Sequence, residues 1–381
     1  MLQETQISLA KRLIGLVDDN TTDLADDVML NPVENYISPA RLQHEKEVLF
    51  RQYPLLMGFS GQIPNPGDFK CDDESGVPIL IVRGKDGEVN AFLNVCRHRG
   101  ARVADGKGSI GNGNFLCPYH GWCFNHKGAL TAVPDERNFN GMDRGEYGLT
   151  RLPVVEKYGM IWVCPTPGNE FDIDTQLAGL APEFANYGFE KYHHFETREI
   201  RQKMNWKLVI DTFLEPYHFG VLHATTVGPL FHANTCTCDG FGQNLREVLP
   251  RRSIHKLLDQ PEDKWDLVTH TGIAYQLFPN AMVIMLGDHA ETWRVYPDGD
   301  KVDECVMFLD LYTPEPVQSE KARKHWDANL DLTVRTVQDE DFPASEGMQF
   351  GFNSPAQETV IYGRNEPALA YYQTELAKAL A

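Results

Sequence analysis

At 381 residues the chain exceeds one average domain, so two domains, each with its own core, are expected. Acidic side chains outnumber basic ones by 54 to 35, and the formal net charge of −19 excludes nucleic acid as an expected partner, since phosphate binding needs a clustered basic surface. No apolar run approaches the ~20 residues that cross a bilayer, the N-terminus has no signal pattern, and eight cysteines are scattered rather than framed as pairs, so a soluble, cytoplasmic protein with no membrane partner is expected.

Residues 1–30 carry apolar side chains at helical spacing (Ile7, Ala10, Leu13, Ile14, Val17) before an Asp-rich break, and residues 39–51 repeat the helical pattern. The texture then changes. From 59 to 165 short β-rich runs at 77–82, 89–95, 115–117 and 160–163 alternate with Gly, Pro, Asn and Asp clusters, which predicts a small antiparallel β domain.

Two loops of that domain carry metal donors, Cys96-x-His98 and Cys117-x-x-His120-Gly121-Trp122, separated by the eighteen residues between His98 and Cys117. Each loop offers one thiolate and one imidazole. Thiolates hold ferric iron in a cluster, and two imidazoles in place of two thiolates distinguish a Rieske [2Fe-2S] centre from an all-cysteine one and raise its potential. A Cys2His2 zinc site uses the same four donors. Zinc fingers, however, pair Cys with Cys and His with His locally, whereas each loop here mixes the two. The Gly-rich run at 106–113 lets the chain turn back, and Pro118 stiffens the second loop.

Residues 166–174, rich in Pro, Gly and acid, read as a linker. Beyond it a strand pattern at 194–202 leads into helical periodicity at 205–214; strands are expected at 272–278, 281–286, 291–297 and 305–312, and helices at 319–337 and from 366 onward. This second domain reads as α+β, an antiparallel sheet with helices on one side. The run 281–286, with Met282 and Met285, is either a pocket wall or ordinary core.

The motif that decides function is Glu215-Pro216-Tyr217-His218-Phe219-Gly220-Val221-Leu222-His223. On an unbroken helix a five-residue step is a rotation of about 500°, leaving His218 and His223 roughly 140° apart. The chain therefore has to bend for both to reach one ion, and Pro216 and Gly220 allow it. Two neutral imidazoles plus one carboxylate on one face of an octahedron is the arrangement of non-haem Fe(II) oxygenases, with positions left open for dioxygen. The third ligand must come from elsewhere, and Asp339-Glu340-Asp341, after the helix expected at 319–337, is the acidic cluster best placed to supply it.

On these residues, with Asn205-Trp206-Lys207 and with Glu346, Gln349 and Gly351 downstream of Asp341, nearly the whole chain resembles the α (oxygenase) subunits of Rieske non-haem iron oxygenases, the ring-hydroxylating and demethylating family. The resemblance favours Asp341 over Asp339. It implies a small all-β Rieske domain (44–165) inserted in an α+β catalytic domain of helix-grip, START-like type (166–381), with N-terminal helices (1–43) packing on the latter. It also implies a [2Fe-2S] cluster on Cys96, His98, Cys117 and His120, a mononuclear Fe(II) on His218, His223 and Asp341, a homotrimer, and a separate NAD(P)H-dependent reductase, with or without a ferredoxin. In that family the working pair of centres lies across a subunit boundary, bridged by an acidic residue three positions before the first iron histidine. Glu215 holds that position, where many members have Asp.

The activity so implied is that of a terminal oxygenase using O2 to hydroxylate, by mono- or dioxygenation, or to dealkylate a small organic substrate, expected to be aromatic. Glutamate at 215 resembles members that oxidise quaternary ammonium compounds, which are the alternative substrates. A Rieske electron carrier or a ligand-binding module without turnover is the alternative from another class, and the 2-His-1-carboxylate set is what discriminates.

Overall fold

The computed structural model describes residues 1–381 and divides into two compact units, Lys46–Ile173 on the one hand and Met1–Glu45 with Asp174–Ala381 on the other. The first is all β. A five-stranded sheet runs in the order Arg151–Leu152, Val89–Leu93, Ile79–Arg83, Asp68–Asp72, Lys107–Ser109, beside two three-stranded sheets, and every pairing is antiparallel. Its core gathers Leu80, Val82, Phe92, Phe115, Trp122 and Phe124 around Cys96 and Cys117. Cys96 follows the strand Val89–Leu93 and Cys117 follows Phe115–Leu116 directly, so both cluster loops hang from strand ends.

The larger unit is built on a seven-stranded antiparallel sheet in the order His193–Gln202, Cys305–Thr313, His289–Pro297, Ala281–Leu286, Thr271–Leu277, Asn244–Pro250, Thr237–Phe241. Strands Asn244–Pro250, Thr271–Leu277 and His289–Pro297 are buried at every position, so both faces of the sheet are covered there. The edge strand His193–Gln202 buries only Ile200 fully and carries Glu196, Arg198, Glu199 and Arg201, charges that discourage further strand pairing. Two strands, Thr237–Phe241 and Asn244–Pro250, have no counterpart in the sequence reading. The reason is visible in Asn244–Pro250, which buries Arg246 and Glu247 and so breaks the apolar pattern. Arg246 is tolerated because it pairs with Glu183 and, at 2.9 Å, with Asp239.

The N-terminal segment belongs to this unit. Helix Gln3–Asp18 buries Leu9, Ala10, Leu13 and Ile14 at the expected spacing, and strand Met29–Pro32 pairs antiparallel with Thr359–Tyr362. The helix Trp206–Thr212 is capped by Asn205, whose side chain accepts from the Lys207 N–H at 3.1 Å and donates to the Tyr36 and Val302 carbonyls. Glu45, fully buried, accepts from Lys207 Nζ at 2.8 Å and from Trp206 Nε1 at 2.9 Å. The Asn-Trp-Lys run is thus an anchor that fixes where this helix starts, about a dozen residues ahead of His218.

Candidate metal centres

The helix expected over 205–214 stops at Thr212, and a single 3₁₀ turn, Tyr217–Gly220, carries His218. The chain then bends, with the N–H of Leu222 donating to the His218 carbonyl and that of Gly228 to the His223 carbonyl. Gly228 is required for that closure: a Cβ there would sit 2.6 Å from the His223 oxygen and 2.7 Å from the Phe219 oxygen. The bend brings both imidazoles to one point. His218 Nε2 lies 3.1 Å from His223 Nε2, and Asp341 Oδ1 lies 3.5 Å from the former and 3.2 Å from the latter.

These three edges fit one face of an octahedron, since adjacent donors each about 2.1 Å from a common ion stand about 3 Å apart. Both rings are oriented by carboxylates on their far side. His218 Nδ1 donates to Glu215, which also accepts from the His218 backbone N–H at 3.1 Å; His223 Nδ1 donates to Glu340, which accepts from Thr226 Oγ1 at 2.7 Å as well. With Nδ1–H committed, the Nε2 lone pairs of both rings face the triangle. Three carboxylates around two neutral imidazoles leave a site whose charge suits a divalent cation. Burial disfavours a charged His223, yet Asp341 and Glu340 outweigh it and hold its pKa above the ordinary value. An ion at Nε2 satisfies the same acids without the proton.

Asp341 arrives on a π turn. After helix Glu320–Thr336, residues Val337–Asp341 form one turn in which the Phe342 N–H donates to the Val337 carbonyl, five residues back. Pro343 accounts for it, because a proline there has no N–H to give to the Asp339 carbonyl four residues back. The widened turn lets the neighbours Glu340 and Asp341 address the two nitrogens of one imidazole. Downstream, Glu346 accepts from the Lys203 N–H at 3.0 Å and Gln349 from the Asn205 N–H at 2.9 Å, which ties this helix to the chain leading into His218.

In the β unit the two cluster loops repeat each other. The Cys96 N–H donates to the Ala101 carbonyl and the Cys117 N–H to the Trp122 carbonyl, both at 2.8 Å, while Gly100 and Gly121 donate back to Cys96 and Cys117. Both glycines hold positive φ, 80° and 71°. The rings of His98 and His120 stand 4.6 Å apart, and Trp122 stacks on His98 at 4.8 Å. Burial pushes the Cys96 thiol up to about 11, so a bound metal rather than the medium would keep it a thiolate. The structure therefore brings His218, His223 and Asp341 together, places Glu215 behind His218, and sets Cys96 and Cys117 beside the His98–His120 pair.

A cavity of about 590 Å3 opens on the triad and is lined by Phe213, Phe219 and Phe231 among others. From the strand Ala281–Leu286 it is Ile284 and Leu286 that line it, whereas Met282 and Met285 belong to the core. Sequence reasoning missed Glu340 as the partner of His223. Its only signal was adjacency to Asp341, which on a regular helix turns a side chain by about 100° and away from a shared target.

Fold, cluster loops and triad together define the oxygenase subunit of a Rieske non-haem iron oxygenase. The chain belongs to that family: residues 189–381 match the ring hydroxylating alpha subunit (catalytic domain) and residues 54–158 the Rieske [2Fe-2S] domain. It is an oxidoreductase of class EC 1.14, with a Rieske domain and a mononuclear iron site at His218, His223 and Asp341. Among relatives, chloroplastic choline monooxygenase of Beta vulgaris is 27% identical over 342 residues, covering 88% of this chain and 74% of that one. The alpha subunit of biphenyl 2,3-dioxygenase from Rhodococcus jostii (strain RHA1) is 34% identical over 225 residues, 56% of this chain and 47% of its own. In fold the chain is similar to the quaternary ammonium Rieske monooxygenase CntA solved with L-carnitine, with a TM-score of 0.80 at 20% identity over 93% of this chain and 97% of that one. No helix is long and apolar enough to cross a membrane.

Proposed function

We propose that the chain is the terminal oxygenase for a quaternary ammonium compound, hydroxylating a C–H bond beside the cationic nitrogen. The observation that carries this reading is Glu215: it stands behind His218 where many members have aspartate, and choline monooxygenase, matched along most of this chain, oxidises such a compound. The cavity suits the reading, because Phe213, Phe219 and Phe231 offer ring faces to a trimethylammonium group next to the triad. Its volume falls in the range of small-molecule sites.

In this proposal Cys96, His98, Cys117 and His120 hold the cluster, and His218, His223 and Asp341 hold Fe(II). The iron supplies dioxygen activation and the cluster supplies electrons one at a time. The protein's own part is positioning. Glu215 and Glu340 fix the ring tautomers, the phenylalanines exclude water from the substrate, and Glu215 offers its carboxylate to His120 of a neighbouring copy in a homotrimer. Electrons come from NAD(P)H through a separate reductase, with or without a ferredoxin.

Aromatic ring hydroxylation is the second reading, favoured by the predominantly apolar wall of the same cavity and by the biphenyl 2,3-dioxygenase match. A panel run with a surrogate reductase decides between them. Oxygen uptake coupled to aldehyde formation from choline, glycine betaine or carnitine is the expected result; coupled diol or phenol formation from biphenyl or naphthalene, with the ammonium compounds inert, overturns it.

A further inference from the structure

We infer that the substrate carries a carboxylate and that the guanidinium of Arg251 holds it, on the wall of the cavity away from the iron ligands. The inference rests on the quaternary ammonium reading in one respect: it makes the substrate a zwitterion of the betaine type rather than a choline-like alcohol.

Arg251 follows directly on the strand Asn244–Pro250 and is fixed by its main chain, whose N–H donates to the His270 carbonyl at 2.9 Å. Its side chain lines the same cavity as His218, His223 and Asp341. The guanidinium lies over the Phe231 ring, Cζ 5.5 Å from the centroid, and its Nε is buried without a hydrogen-bond partner. No carboxylate pairs with it. Burial lowers its pKa from the ordinary value, yet guanidinium stays charged in proteins. A buried donor left without a partner is destabilising, the more so when charged, and an anionic ligand removes that cost.

The neighbouring acids are already committed. Asp288, which also lines the cavity, accepts from His289 Nδ1 at 2.8 Å and from His325 Nε2 at 3.0 Å. Glu291 accepts from Thr333 Oγ1 at 2.8 Å and faces His289 Nε2 at 3.5 Å. The imidazole of His289 therefore answers these two acids, and Arg251, which feels the Asp288 charge, has no carboxylate within ion-pair distance. Its rigid fork of donors matches the two oxygens of a carboxylate.

The wall between Arg251 and the triad is aromatic. From Arg251 the contacts run to Phe231, from Phe231 to Phe219 at 5.8 Å between centroids, and from Phe219 to His223 at 5.2 Å. Two aromatic rings thus bridge Arg251 and the iron ligand His223 along the wall. A molecule whose cationic head lies on those rings can set a carboxylate against Arg251 while its C–H bond faces the triad.

Calorimetric binding to the iron-loaded protein tests this with glycine betaine and γ-butyrobetaine against their methyl esters, and in parallel with benzoate and 4-phenylbenzoate against theirs. We expect the betaine acids to bind at least tenfold more tightly than their esters. Arg251→Gln should bring that ratio to within twofold, and Arg251→Lys should keep part of it. Acid preference confined to the aromatic pairs, and lost in Arg251→Gln, keeps the role of Arg251 and overturns the ammonium reading. No acid binding, acids no better than esters, or a preference that survives Arg251→Gln overturns the role of Arg251, even with choline turned over. Should Arg251→Gln fail to fold, judged by loss of mononuclear iron and of the larger unit's cooperative melting, the wild-type ratio and Arg251→Lys decide.

Discussion

Glu247 lies within the strand Asn244–Pro250, fully buried, with no nitrogen or oxygen donor to either carboxylate oxygen and only the weak Cys236 thiol near it. Burial pushes its pKa up to about 8, the Cys236 thiol works against the rise, and the Glu215 charge adds to it. An unfolded glutamate titrates near 4.3, so through neutrality the folded chain keeps a proton that the unfolded chain has lost. The stability this carries is whole below about pH 4 and falls as pH rises through 8, by ~1.4 kcal/mol per unit in between. Glu247→Gln keeps the shape and cannot ionise. In denaturant melts it should match the wild type near pH 4.5 and exceed it increasingly towards pH 8; a gap independent of pH would mean that Glu247 is not the group titrating. Single charged residues such as this one, Arg251 and Glu340 are illegible in sequence, because nothing but the tertiary fold separates them from ordinary surface charges.

The π turn at Val337–Asp341 carries the third iron ligand, and the missing N–H of Pro343 is the cause assigned to it. Pro343→Ala restores a donor for the Asp339 carbonyl and lets the segment relax to a regular helix, swinging Glu340 off His223 Nδ1. We expect mononuclear iron affinity to fall by about 10–100-fold, the scale at which partners of metal ligands act, with the paramagnetic signal of the reduced cluster unchanged. Iron binding as tight as in the wild type would refute that origin for the turn. At this scale much was legible beforehand. The break between His218 and His223 follows from rotation arithmetic, and the Cys/His alternation of the two loops from ligand chemistry. Thr237–Phe241 and Asn244–Pro250 were not legible, because ion pairs supplied by Glu183 and Asp239 let charged residues occupy core positions. The choice of Asp341 over Asp339 came from family resemblance, and only the π turn gives it a physical reason.

For the whole molecule, the proposed electron path from His120 of one copy to Glu215 of the next has a combinatorial consequence. Subunits with Cys96→Ala lack the cluster, and subunits with His218→Ala lack the catalytic iron. Co-refolded in equal amounts into random homotrimers, they should regain about a quarter of wild-type turnover, since one oriented interface in four joins an intact cluster to an intact iron site. Separate preparations stay inactive. Mixtures that remain as inactive as their parents would place the path within one chain.

The pairing of Met29–Pro32 with Thr359–Tyr362 also sets an order in time. On the ribosome the strand Met29–Pro32 emerges long before its partner Thr359–Tyr362 and has to wait for it. Lys46–Ile173 is synthesised whole long before, leading residue 359 by on the order of ten seconds or more at ordinary elongation rates. The β unit can therefore mature and accept its iron and sulfide while the larger unit is still an open chain. Asp341 emerges well after Ile173 completes the β unit, so cluster assembly can precede iron loading, and a nascent chain stalled before residue 340 should already show cluster colour with no site for the third iron.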